Sequence, residues 1–203
     1  MHEKDTSQVS EIDRESFPTQ LPPANYQREL QNQLAHYIVA CDGGETAASS
    51  DAEALPRKAL YRLASRARRL FNRHFSSHGL PPLDKEYIIG FAGIWIMADE
   101  AHITNIAVRE LYRHRGIGEA LLISVIDLSV KLNARIVTLE VRASNIGAQN
   151  LYRKYGFVQV GLRRGYYIEN KEDAVLMSTE NIASASFQAH LQQLRQAHSG
   201  KWG

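Results

Sequence analysis

The sequence predicts a domain of the α/β class, and three observations carry that reading. Residues 103–108 and 136–142 are short, apolar and rich in β-branched side chains, as buried strands are. Between them Ile117, Leu121, Val125, Leu128 and Leu132 recur at helical spacing, so 117–131 reads as an amphipathic helix. Residues 86–97 and 101–108 flank Ala98-Asp99-Glu100 as two strands of an antiparallel hairpin in the middle of a sheet.

The remaining elements follow in chain order. Val9, Ile12 and Phe17, with Asp13 and Glu15 between them, read as a short helix that ends before Pro18. Pro22-Pro23-Ala24 opens a second helix over 25–33, and 36–41 is a strand stopped by Asp42-Gly43-Gly44. Residues 45–51 are small and polar. A helix is expected over 55–75, with Leu60, Leu63, Ala67, Leu70 and Phe71 on one side. Arg57, Lys58, Arg62, Arg66, Arg68, Arg69 and Arg73 fill the rest, and Gly79-Leu80-Pro81-Pro82 ends it. Such a basic face suits an anionic membrane surface, ribosomal RNA or an acidic partner, or else is a solvated face of a helix docked on its own domain.

After the strand 136–142, Ala143-Ser144-Asn145 offers a helix cap, since Asn or Ser there accepts a backbone N–H. The helix that follows carries Ala148, Leu151, Tyr152 and Tyr155, and Gly156 closes it as a left-handed stop. Residues 157–161 and 174–177 are the last strands. A Ser/Ala-rich linker and a short terminal helix marked by Phe187, Leu191 and Leu194 complete the chain, giving a domain over 1–178 and a tail over 179–203.

Composition bounds the function. The 203 residues fit one domain, with 44% hydrophobic and 23% charged residues. A net charge of +2 is too mild to argue for nucleic acid binding by the whole chain. No run approaches a membrane span. Met1-His2-Glu3-Lys4-Asp5 lacks the apolar core of a signal peptide, and a single cysteine, Cys41, excludes an internal disulfide; a cytoplasmic protein is expected.

The turn Arg113-His114-Arg115-Gly116-Ile117-Gly118 is the chemical centre of the sequence. Two glycines at a strand-to-helix junction leave backbone amides uncovered at the positive end of the helix, a seat for phosphate or diphosphate. The spacing is neither that of a P-loop nor of a dinucleotide fold. Arg-x-x-Gly-x-Gly resembles the acetyl-CoA diphosphate loop of the GCN5-related N-acetyltransferases. Leu139-Glu140-Val141-Arg142-Ala143-Ser144-Asn145, then Leu151-Tyr152 and Tyr155-Gly156-Phe157, resembles the ribosomal-protein-alanine acetyltransferase branch of that superfamily. Arg163-Arg164-Gly165-Tyr166-Tyr167 and Glu172-Asp173-Ala174 extend the likeness, which covers 7–42 weakly and 86–178 strongly.

The resemblance implies a mixed, mostly antiparallel central sheet flanked by helices, interrupted here by a basic helical insertion at 45–85. The family's first strand has no room before the first helix, so either this edge strand is missing or the chain starts late. The resemblance also implies acetyl-CoA as cosubstrate, and the N-terminal alanine of a small-subunit ribosomal protein as acceptor. A lysine or small-amine acceptor, or a non-catalytic acyl-CoA-binding module, is the alternative.

By the same resemblance Glu140 is the general base, on a strand where a carboxylate is costly without work or a partner. The alternative is a buried ion pair with Arg142 or Arg135. Tyr152 is the general acid toward the CoA sulphur, with Tyr155 its rival and a core tyrosine the bland reading. Asn145 is a cofactor contact or a pure cap. The amides of Ile106, Ala107 and Val108, and of Arg113, His114, Arg115, Gly116, Ile117, Gly118 and Glu119, are expected to hold the pantetheine arm and diphosphate. Tyr166 and Tyr167 are expected to shape the acceptor entrance, with Arg109 lining it. Ser144 and Cys41 lie in no nucleophile frame, so direct transfer is expected rather than an acetyl-enzyme. His74 and His78 have metal spacing but no third ligand, and no metal is expected.

Overall fold

A computed structural model of the chain describes residues 1–18, 24–42, 62–63 (backbone only) and 87–199. Among these, five α-helices and seven strands form one mixed sheet with helices on both faces. The helices are α1 (Thr6–Ser16), α2 (Tyr26–Glu29), α3 (Ile117–Lys131), α4 (Ile146–Lys154) and α5 (Ala185–Ser199). The strands are β1 (Ala35–Asp42), β2 (Arg62–Leu63), β3 (Tyr87–Met97), β4 (Glu100–Val108), β5 (Ile136–Arg142), β6 (Val158–Tyr167) and β7 (Glu172–Ser178). Their order across the sheet is β2-β1-β3-β4-β5-β7-β6, antiparallel except for the β1–β2 and β4–β5 pairs.

Alternation along the strands divides the core in two. Ile38, Ile94, Ile103, Val137, Leu139, Val141 and Met177 meet Leu121, Leu122, Val125 and Ile126 of α3 and Phe187 and Leu191 of α5. Tyr37, Val39, Phe91 and Ala107 point the other way, onto Val9 and Ile12 of α1 and Tyr26 of α2. Gly93 is required between these layers: a Cβ there would stand 2.6 Å from the Tyr37 ring and 2.8 Å from Thr104 Oγ1.

The structure corrects several sequence expectations. The helix expected over 25–33 stops at Glu29, because Gln31 and Asn32 bond back three residues and the Asn32 side chain accepts from Leu34 N–H, forming a turn. At Arg62–Leu63, the middle of the expected basic helix, the backbone instead pairs with Val39 and Ala40 along the free edge of β1. The rest of 55–75, with His74, His78 and most of the 45–85 insertion, lies outside the described residues. β6 runs on to Tyr167 rather than ending at 161, accommodated by two register shifts and a positive φ of 58° at Gly165, whose N–H is accepted by Asp173. The terminal helix is not short: α5 has 15 residues and buries Phe187 and Leu191.

Candidate active site

The parallel strands β4 and β5 pair only from Glu100–Ile136 to Ile103–Leu139. Thr104 is then an extra residue on β4, since Gly93 faces Asn105 while Ile94 faces Ile103. Beyond this bulge β4 stays with β3 as far as Val108, and β5 stays with β7 as far as Arg142. The two strands therefore part, and the sides of 105–108 and 140–142 that face each other carry no ladder pairing. Unpaired strand backbone is a template for an extended polar ligand.

The loop at the open end leads into the start of α3. Arg113 is extended and its Nε–H donates to the Val108 carbonyl at 3.2 Å. His114 and Gly116 both adopt positive φ, 60° and 78°, and α3 then starts at Ile117 with no side-chain cap. The first amides of α3 thus have no acceptor from a cap. Space for a ligand exists there, since a Cβ on Gly118 would meet only Val108, at 3.9 Å. Arg115 lies over the Tyr112 ring at 5.1 Å. The side chain of Glu119 turns inward to Lys154 and Tyr155, leaving only its backbone for the loop. That engagement commits the Tyr155 hydroxyl, and the burial that comes with it raises the phenol's pKa.

Glu140 lies on the opposite face of β5 from Leu139 and Val141, just where β4 and β5 separate. Its ion partners are neither Arg142 nor Arg135. Arg142 pairs with Glu169 and Glu172, and Arg135 with the exposed Asp99. Instead Glu140 Oε2 is 3.0 Å from His102 Nε2 of β4 and Oε1 is 2.9 Å from Arg163 Nη1 of β6. The Thr138 hydroxyl donates to Glu100 and stands 2.9 Å from His102 Nδ1. With its hydrogen committed to Glu100, Thr138 accepts from Nδ1–H, so Nε2 is the imidazole nitrogen left to exchange a proton with Glu140. His102, Thr138 and Arg163 were missed by sequence reasoning. The available signal was alternation, which puts Thr138 on the polar face of β5 with Glu140.

Asn145 caps α4 by accepting from Ala148 N–H at 3.1 Å. The other end closes as a Schellman turn, with Gly156 at φ 84° and Phe157 N–H bonded to the Tyr152 carbonyl. Tyr152 is thereby held with its ring 5.7 Å from Phe157, and burial pushes its phenol up to about 12. Arg142 lies 3.8 Å over the Tyr167 ring. Tyr166 packs edge-on against Tyr167, and Arg163 lies 5.6 Å over the Tyr166 ring. Tyr166 is thus linked to Glu140 through Arg163, while Tyr167 stacks on Arg142, which is held by Glu169 and Glu172.

Arg109 does not line this region. It is 6% exposed, its Nε–H donates to the Ile88 carbonyl, and its guanidinium holds Glu15 at 3.0 Å and Glu11 at 2.6 Å. The acids stand one turn apart on α1, so Arg109 is the clamp between that helix and the sheet. Among the described residues no group of three or more His, Cys, Asp or Glu could hold a metal ion, and no helix is long and apolar enough to cross a membrane.

A sheet opened between two parallel strands, facing an uncapped glycine helix start, defines an α/β architecture with a cleft along the strand edges. The chain belongs to the Acetyltransferase (GNAT) family, whose sequence profile matches residues 49–157. It is 46% identical over 91 residues to a Bacillus subtilis (strain 168) protein provisionally named as a [ribosomal protein bS18]-alanine N-acetyltransferase, a match spanning 45% of this chain and 60% of that protein. It is 36% identical over 118 residues to the N-alpha-acetyltransferase RimI of Mycobacterium tuberculosis, spanning 55% of this chain and 73% of that one. The ribosomal-protein-S18-alanine N-acetyltransferase crystal structure from Escherichia coli shares the fold, with a TM-score of 0.59 and 23% identity over 91% of this chain and 94% of that one.

Proposed function

We propose that this protein is an acetyl-CoA-dependent N-alpha-acetyltransferase acting on a protein N-terminus, with the N-terminal alanine of a small-subunit ribosomal protein as the leading acceptor. The observation that carries this reading is Glu140, a carboxylate bonded to His102 and Arg163 at the mouth of the cleft between β4 and β5. The names of the Bacillus subtilis relative and of the Escherichia coli structure point to the same acceptor.

Transfer needs a deprotonated amine, a polarised thioester and a proton for the departing thiolate. In this reading the amides of 106–108 hold the pantetheine arm and those of 113–119 hold the CoA diphosphate. Glu140 takes the proton from the incoming ammonium, directly or through water, and His102 hands charge onward toward Thr138 and Glu100. The free amine attacks the thioester carbonyl, the C–S bond breaks, the Tyr152 phenol supplies the proton to sulphur, and the second proton shed by the nitrogen restores the phenol by way of solvent. Tyr166 and Tyr167, stacked under Arg163 and Arg142, form one wall of the acceptor entrance. The basic run between Arg57 and Arg73 supplies a contact to the anionic ribosome surface, which implies a cytoplasmic place of action.

The test is an acetylation assay with two peptides of one sequence, one with a free N-terminal alanine and one Nα-blocked but containing lysine. Preference for the free terminus is expected. Preference for the blocked peptide makes the enzyme a lysine acetyltransferase and rejects the proposal.

A further inference from the structure

The C-terminal helix reaches the anion loop. α5 is seated by Phe187 and Leu191, and a Cβ on Gly156 would meet the Phe187 ring at 3.1 Å. It is tied down by the Arg195–Asp127 ion pair on α3 and by His190, whose Nε2 is 3.0 Å from the Lys154 carbonyl. At its far end His198 Nε2 lies 3.1 Å from the carbonyl oxygen of Gly116. A carbonyl only accepts, so His198 carries its hydrogen on Nε2. The same oxygen accepts from Ala120 N–H at 2.9 Å, the first rung of α3.

This bond falls on a residue with no side chain of its own to fix it. Gly116 is in the left-handed region and offers no side-chain cap, and glycine is the residue with most conformational freedom to lose. A peptide unit is planar and trans, so fixing the Gly116 carbonyl also fixes the Ile117 N–H, which points the opposite way, out of the helix start. We propose that His198 is a positioning residue for the diphosphate loop, holding the Gly116–Ile117 peptide from outside so that the loop amides are aligned before the donor arrives. This rests on the reading that the loop takes the CoA diphosphate. Donor affinity then depends on a helix that contributes nothing to the reacting atoms.

The experiment titrates full-length wild type, His198→Ala, His198→Phe and His198→Gln with CoA by calorimetry, alongside KM for acetyl-CoA and kcat. Losing one such bond should weaken CoA binding by about three- to tenfold in the Ala and Phe variants and raise KM in parallel. kcat should stay unchanged, and Gln, which keeps an N–H within reach, should restore affinity. Phe keeps the packing should Ala fail to fold. Wild-type affinity in Ala or Phe overturns the proposal, as does a Gln variant as weak as Phe, which would leave only a packing role. A wild type that binds no CoA instead removes the reading underneath it.

Discussion

His102 Nε2 and Glu140 Oε2 face each other at 3.0 Å across β4 and β5, two strands whose paired stretch ends at Ile103 and Leu139. The pair thus sits at the last point where the two strands are held together, next to the first point where a ligand can pass between them. His102→Ala should lower kcat by about tenfold or more while leaving the donor KM near wild type. Steady-state kinetics check this; an unchanged kcat removes His102 from the proton path.

Tyr152 is a phenol, protonated at neutral pH, and burial raises its pKa further. Tyr152→Phe should lower kcat by about 10–10²-fold without loss of CoA binding, since the ring that packs on Phe157 is retained. Equal turnover would return Tyr152 to a packing role.

Arg109 joins α1 to the sheet through Glu11, Glu15 and the Ile88 carbonyl. Arg109→Met should destabilise the fold by about 2–3 kcal/mol, because three charge-assisted bonds are lost from a buried site. Denaturant unfolding measures it. Both acids regain water, which keeps the loss below that of stranding a buried charge.

Glu172 is held at about 2, first by its hydrogen bonds to Ser144 and then to Asn170 and Arg142. A carboxyl depressed in the folded state stabilises at pH above its unfolded value, near 4.5, and that contribution is lost as pH falls toward 2. Acid titration of Glu172→Gln against wild type should show a flatter decline over this window and no extra difference above it.

Gly90 faces Val108 across β3 and β4, and a Cβ there would stand 2.9 Å from the Ala107 carbonyl and 3.2 Å from Leu121. Backbone cannot swing aside as a side chain can. Gly90→Ala should cost about 1–3 kcal/mol and raise the donor KM by displacing the open edge of β4. Thermal unfolding and kinetics together check both halves.

What was legible in the sequence was local. The left-handed Gly116 before α3, the Asn145 cap and the Gly156 stop are set by backbone demands within a few residues. The partners of Glu140 were not legible, because His102, Thr138 and Arg163 come from three strands whose register is fixed only by the whole sheet. Arg109 misled for a related reason. A charged residue after a strand reads as exposed until Glu11 and Glu15, one helical turn apart, are brought opposite it. The apolar spacing of Phe187, Leu191 and Leu194 marked a helix, but its length and its reach to Gly116 depend on packing.

The central claim is that Glu140 removes the proton from the acceptor amine. Single-turnover acetyl transfer to a free N-terminal alanine peptide, at saturating donor, compares wild type with Glu140→Gln most directly. The account predicts a rate lower by about 10²–10⁴-fold with donor affinity unchanged; equal rates would contradict it.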